Sequence, residues 1–404
     1  KAVHKQLSHA AILSATLCFP FVTEAGGFRL PEVSAEGVAM SDALVANTDI
    51  FGAFPYNYSS MTFHDGTKVS FDVYGVFSDA QVSPLAPNAP AGSIDNKSDD
   101  AYVPSLFLTH KLNDMVSLGV HVGAPFGLES IWPGTTFSHF YAVDDALDAQ
   151  GQIAGLHPTK SSMELFNISP SVGTRLTEEL SVALGMDYYQ LESVETNTVG
   201  AKMSGDGDAV GWNASMLFHK DKWSFGLSYH SAAEIDIDGH AKIQGLGRVA
   251  SKTELELPAR FQAGVRYQFT PKLSAEFDLE RTGWSSFDKI VLTSTGGALP
   301  PGNVLSVAEH DWDDIYNYRL GMTYSVNSQT TLLFGAGYEE TPQNDKHFDS
   351  TIADADRKMV SFGVTHNLGD GWQLKAGYQY AWFDDRKVSG RSYVNQIVSS
   401  NGAN

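Results

Sequence analysis

From about Lys68 onward the chain repeats one pattern: roughly ten residues of alternating apolar and polar side chains, then a tight Asn/Asp/Gly turn or a longer polar stretch. Trp372, Leu374, Ala376, Tyr378, Tyr380 and Trp382 alternate with Gln373, Lys375, Gly377 and Gln379. Trp223, Phe225, Leu227 and Tyr229 alternate with Ser224, Gly226, Ser228 and His230, and the segments at 261–269 and 316–324 read the same way. Successive side chains of a strand point to opposite faces, so each segment has one apolar and one polar face. After Val22 no run of about 18 apolar residues exists, so no transmembrane helix is available. A chain that crosses a membrane without helices does so as a closed barrel, because lipid offers no partner to an unpaired backbone group.

A soluble β-sandwich also alternates, but two features favour the barrel. Aromatic residues gather at the ends of the apolar faces, as in membrane-interface girdles, and the connections alternate between short and long. Glu178-Glu179, Asp221-Lys222, Pro271-Lys272, Asn327-Ser328 and Gly369-Asp370 are tight turns; 83–100, 129–161, 193–208, 244–252, 293–312 and 340–356 are long connections. Candidate strands fall near 68–78, 101–112, 115–128, 162–176, 180–192, 209–220, 222–240, 253–270, 272–292, 314–326, 329–339, 357–368 and 371–388. That is thirteen, whereas bacterial barrels close with an even number, so a last strand is expected to be missing, with a gap between 371–388 and 68–78.

Ahead of the strands, Lys1, His4 and Lys5 precede the apolar stretch Ala10–Val22 and then Thr23-Glu24-Ala25, the layout of an export signal over residues 1–25. The chain opens without Met, so it is expected to begin inside that signal or to be a fragment. The only cysteine, Cys18, lies in this stretch, which leaves the exported part without thiol or disulfide. A net charge of −20 with no basic cluster argues against nucleic acid as a partner.

Several constellations bear on function. Trp132, Phe137, Phe140, Tyr141, Val143, Leu147, Ile153 and Leu156 crowd a connecting segment, and such exposed apolar surface marks a binding site or packs onto the barrel rim. Asp206-Gly207-Asp208 lacks the remaining ligands of a calcium loop. Glu276, Asp278 and Glu280 share the lumenal face of one strand, and pairing with Arg266 or Arg319 on the neighbouring strands is expected. No Ser/His nucleophile motif is present, so no enzyme, cofactor or metal is expected.

Gly26-Gly27-Phe28-Arg29-Leu30, Ala124-Pro125-Phe126-Gly127-Leu128, Gly211-Trp212-Asn213-Ala214, Leu257-Pro258-Ala259, Trp284-Ser285-Ser286-Phe287, Tyr318-Arg319-Leu320-Gly321 and Asp354-Ala355-Asp356-Arg357 occur in that order along the chain. Together they resemble the FadL/TodX outer-membrane transporters of long-chain fatty acids and hydrocarbons. The resemblance implies an all-β, antiparallel transmembrane barrel of fourteen strands over 67–404, with residues 26–66 folded inside as a hatch. It implies capture of a hydrophobic molecule on outward loops, passage to a lumenal site, and sideways exit where the third strand kinks. The candidates for substrate contact are Phe126, Leu128, Trp132, Phe137, Phe140 and Tyr141, and alternation places Arg266 and Arg319 in the lumen as candidate cations for a head group. Gly123, Pro125 and Gly127 are the kink, where proline and glycine should interrupt pairing, and Asn57 is the one match to the hatch's Asn-Pro-Ala. Two departures stand out: Tyr189–Glu195 and Val307–Trp312 hold no Lys or Arg for a carboxylate, and 193–208 is short for the family's capture loop.

The expected function is therefore outer-membrane transport of hydrophobic small molecules, fatty acids before neutral hydrocarbons, by a monomer set among outer-membrane lipid and lipopolysaccharide. A general porin is the main alternative, and an adhesin or phage receptor the third.

Overall fold

A computed structural model of the protein describes residues 26–387 apart from 79, 84–91, 135, 137–157, 199, 350–351 and 353. The proposed export signal, Phe137, Phe140 and Tyr141, and the C-terminal stretch 388–404 lie outside the described residues.

The elements run from a short helix α1 (Ala35–Ala39) and two 3-10 turns (Phe51–Ala53 and Tyr58–Phe63) into β1 (Thr67–Val76), β2 (Gln81–Val82), β3 (Ile94–Asp95), β4 (Ala101–Lys111), β5 (Val116–Gly123) and β6 (Gly127–Ile131). They continue through β7 (Pro158–Arg175), β8 (Leu180–Thr198), β9 (Ala201–Lys220), β10 (Trp223–His230), β11 (Ala233–Ile243), β12 (Gly247–Leu257) and β13 (Arg260–Thr270). The last are β14 (Leu273–Thr282), β15 (Lys289–Gly297), β16 (Val304–Glu309), β17 (Ile315–Ser325), β18 (Thr330–Glu339), β19 (Arg357–Gly369) and β20 (Trp372–Phe383). All except the small β2–β3 hairpin belong to one antiparallel sheet.

Consecutive pieces such as β5 and β6, or β10 and β11, are one stave with a break, and the staves coincide with the thirteen segments read from the sequence. The long connections are where the sequence misleads. Much of 193–208, 244–252 and 293–312 is strand: β8 and β9 pair out to Asn197↔Lys202, β11 and β12 out to Ile243↔Gly247, and β16, inside the third, pairs with β15. These hairpins continue the ladder past the apolar band, where the outward face turns polar and the alternation signal fades. Among the described residues the ladder registers of β1 and β20 are with β4 and β19, and none runs between β1 and β20. Side chains bridge that seam: Lys375 of β20 donates to Ser70 Oγ at 2.6 Å and Asp72 Oδ2 at 3.1 Å on β1, and pairs with Glu36 of α1 at 2.9 Å.

Burial is inverted relative to a soluble fold. Phe71 and Trp372 are 67% and 74% exposed on the outside, while Ser215, Asn213, Glu276 and Arg319 are buried inside. Such an outer surface is stable only against lipid.

Residues 26–66 fill one end of the interior. Phe54, Met61, Met40 and Leu44 are fully buried, each worth about 1.5–3 kcal/mol. Space for the segment comes from glycines on the lumenal faces: a methyl group on Gly226 would strike Val45 O, one on Gly321 would strike Met40, and one on Gly363 would strike Ala39. Ser34 caps α1 by accepting from Gly37 N at 2.9 Å.

Candidate functional site

The stave formed by β5 and β6 breaks at Ala124-Pro125-Phe126. β5 pairs with β4 from Ser117↔Lys111 to Val122↔Leu106, whereas β6 registers with β7 and has no ladder to β4. Proline brings no N–H to a ladder, and the polar groups freed here find partners in the N-terminal segment instead. Leu30 N donates to Pro125 O at 2.9 Å, Gly127 N donates to Phe28 O at 3.0 Å, and Arg29 bridges Phe126. Residues 28–30 thus act as a short strand that closes the break from inside.

Phe28 belongs to two environments. One face of its ring meets Phe126, with centroids 5.9 Å apart, and the ring is edge-on to Trp284 at 4.7 Å and Phe287 at 5.5 Å. It also lines a cavity of about 170 Å³ toward the long-loop end, close in size to the roughly 150 Å³ engineered cavity that takes up benzene. Met163, Leu255, Ile237, Ile352 and Phe287 make this cavity mostly apolar. His310 and Asp349 stand at its wall. The 3-10 turn Trp284–Ser286 and the stretch after β16 bring Trp284, Phe287, His310 and Trp312 together beneath it.

The opposite end of the lumen is polar and filled. The acidic row on β14 holds the N-terminal segment: Glu276 accepts from Ala46 N at 2.5 Å and Asn47 Nδ2 at 3.0 Å, Asp278 from Val45 N at 2.9 Å, and Glu280 pairs with Arg29. Arg357 bridges Glu339 at 2.6 Å and Glu32 at 3.2 Å. Buried ion pairs of this kind fix a geometry, and breaking one leaves an uncompensated charge.

Arg266 and Arg319, expected to be head-group cations, stand in this filled end. Arg266 pairs with Asp49 at 2.5 Å and donates to Ser274 at 2.8 Å, and Arg319 pairs with Glu339 and with Glu280 at 3.8 Å. Each is consumed by acids and neither lines the cavity. The expected pairing of the acidic row with these arginines holds for Glu280 and Arg319, while Glu276 and Asp278 accept hydrogen bonds from the backbone of residues 45–46.

Gly123 and Gly127 flank the break, Pro125 lies in it, and Phe126 is buried in the aromatic cluster. Leu128 falls in β6. Trp132 is buried, its Nε1 donating to Ser130 Oγ at 2.8 Å. Asn57 Nδ2 donates to Val45 O at 2.8 Å and Met216 O at 3.0 Å, and Oδ1 accepts from Ser59 N at 3.0 Å. Sequence reading missed Phe28, Phe287, His310, Asp349 and Ile352 as cavity residues. The aromatic spacing Trp284-x-x-Phe287 was the available signal.

An inverted-burial barrel with a filled lumen and a small apolar cavity beside a broken strand is an outer-membrane transport protein for hydrophobic molecules rather than an open pore. Residues 16–402 match the family described as outer membrane protein transport protein (OMPP1/FadL/TodX), and the chain belongs to that family. It is similar to the long-chain fatty acid transport protein of Salmonella typhi, 23% identical over 411 residues covering 91% of this chain and 90% of that one. It is also similar to outer membrane protein P1 of Haemophilus influenzae, 23% identical and covering 93% and 90%. In fold it resembles a Pseudomonas aeruginosa FadL homologue, with a TM-score of 0.69 at 18% identity covering 88% and 90%. The Pseudomonas putida toluene transporter TodX gives 0.59 at 15%, covering 88% and 97%.

Proposed function

We propose that a hydrophobic molecule enters the cavity from the long-loop side, rests against Phe28 and Phe287, and leaves sideways into the membrane through the break at Gly123–Gly127. The observation that carries this reading is that Phe28 is at once a wall of the cavity and the residue whose carbonyl holds Gly127. Withdrawal of residues 27–30 would join cavity and break without disturbing the anchors of residues 40–62. Residues 26–66 act as the hatch, and the protein works as a monomer with its apolar band in lipid and lipopolysaccharide. Long-chain fatty acids, the substrate in the names of several relatives, and monoaromatic hydrocarbons, as for TodX, are the two substrate classes to compare. Binding draws on apolar burial at about 0.8 kcal/mol per CH₂.

Arg29 and Phe126 form an antiparallel bridge flanked by the Leu30–Pro125 and Gly127–Phe28 bonds, a pairing that brings Cα atoms to about 4.5 Å and suits a disulfide. In a strain lacking its own transporter, the double variant Arg29→Cys/Phe126→Cys should take up labelled substrate when reduced and lose at least about tenfold of that rate when oxidised. Equal uptake by both forms would refute the exit route.

A further inference from the structure

We propose that the cavity selects apolar molecules ending in a neutral hydrogen-bonding head, such as an alcohol, over those ending in a carboxylate, and that His310 reads the head. This rests on the assignment of the cavity as the substrate's resting place and adds the chemistry that place accepts.

His310 is 2% exposed and forms part of the cavity wall, and both ring nitrogens lack a hydrogen-bond partner among the described residues. Its ring is held by stacking on Phe287 at 4.4 Å and by an edge contact with Trp312 at 5.9 Å, so its position does not depend on a ligand. Asp349 Oδ2 is 3.7 Å from Nδ1, too far for a hydrogen bond. Thr253 Oγ1, on the same cavity, is also buried without a partner. Orphaned buried polar groups are costly, and a ligand that satisfies them gains what a ligand lacking the matching group cannot.

Charge decides which head fits. Among the described residues no arginine lines the cavity, and Lys252, which borders it, is exposed on β12 opposite Asp238. Among the described residues the buried acidic side chain on the wall is Asp349, with Glu254 on the exposed face of β12, so an incoming carboxylate would meet acids and no arginine. Burial holds the His310 imidazole below its usual value against the opposing pull of Asp349, with His347 adding to the lowering. A neutral imidazole offers one donor and one acceptor. A hydroxyl can satisfy either nitrogen, whereas a carboxylate can only accept.

The test uses the full chain in lipid nanodiscs, with titration calorimetry corrected by empty nanodiscs and three probes: decanol, decanoate and butylbenzene. Decanol should bind at least about tenfold tighter than decanoate. His310→Phe, which keeps the ring stack, should bring decanol down to the level of butylbenzene and leave butylbenzene unchanged, and His310→Gln should recover part of the decanol affinity. Decanoate binding as tightly as decanol, or an unaltered ratio in His310→Phe, would overturn the inference while leaving the cavity assignment intact. Failure of all three probes to bind, with no difference from an Ile237→Trp variant that fills the cavity, would overturn the assignment itself and the inference with it.

Discussion

The two ends of the lumen are built on opposite principles. Toward the short turns, glycines on the strands admit the N-terminal segment, and carboxylates on β14 hold its backbone N–H groups at 2.5–2.9 Å. Toward the long loops, Phe28, Phe287, Leu255 and Ile237 surround open volume, and the ring nitrogens of His310 have no hydrogen-bond partner among the described residues. The contrast teaches that occlusion and recognition are separate. The barrel is filled by the N-terminal segment at one end and left open at the other, and Phe28 stands at the boundary. Substitutions at the two ends should therefore affect different measurements.

The largest effect is expected from Gly226→Val, because its side chain would strike Val45 O in a region with no slack. Displacing the N-terminal segment should convert an occluded barrel into a steady ion conductor in planar bilayers. A variant that stays non-conducting would show that the segment does not seal the lumen. Next, Ile237→Trp should lower uptake by at least about tenfold with conductance unchanged, since it fills the cavity and leaves the seal alone. If it also opened the pore, the two ends would not be independent.

Glu280→Ala strands Arg29 and Arg319, and removing one partner of a buried pair costs roughly 3–5 kcal/mol. The temperature at which the folded form is lost on unheated gels should fall, with ligand affinity within about twofold. The smallest effect concerns pH. Asp354, in the connection before β19, accepts from Gly27 N at 3.1 Å and Thr341 Oγ1 at 2.8 Å, and burial pushes its carboxyl up to about 8. The folded state binds the proton more tightly than the unfolded chain, so the stabilisation is complete below the ordinary aspartate value of 3.8 and is lost as pH rises through about 8. The protection of the Gly27 and Phe28 amides against exchange, taken relative to the intrinsic rate at each pH, should fall over that range in the native protein and be nearly flat in Asp354→Asn.

The staves were legible because a period of two survives in each segment that faces lipid on one side and the lumen on the other, as in Phe261–Phe269. The polar hairpins at 193–208 and 244–252 were not, since strands above the lipid have no apolar face to declare them. The break at Gly123–Gly127 was implied by the family resemblance, with proline and glycine marking where pairing stops. The cavity could not be read from the sequence. Phe28, Met163, Leu255, Phe287 and His310 come from distant parts of the chain and meet only when the barrel curves. Arg266 and Arg319 were correctly placed inward by alternation, but alternation gives a face and not a depth. It could not tell a cation facing the cavity from one facing Asp49 or Glu339. The glycines opposite residues 39–46 were visible as gaps in the polar face, and their meaning depends on the segment they accommodate.

The most direct test of the separation between seal and route is photocrosslinking with an alkyl diazirine probe under turnover, mapped by peptide mass spectrometry. The predicted labels fall on the cavity wall at Phe28, Leu255 and Phe287 and on Gly123–Gly127, with none at Asn57, Thr62 or Ser215. Labels running through Asn57 and Thr62 toward the short turns, with Gly123–Gly127 clean, would mean that the substrate passes down through the filled end and would contradict the account.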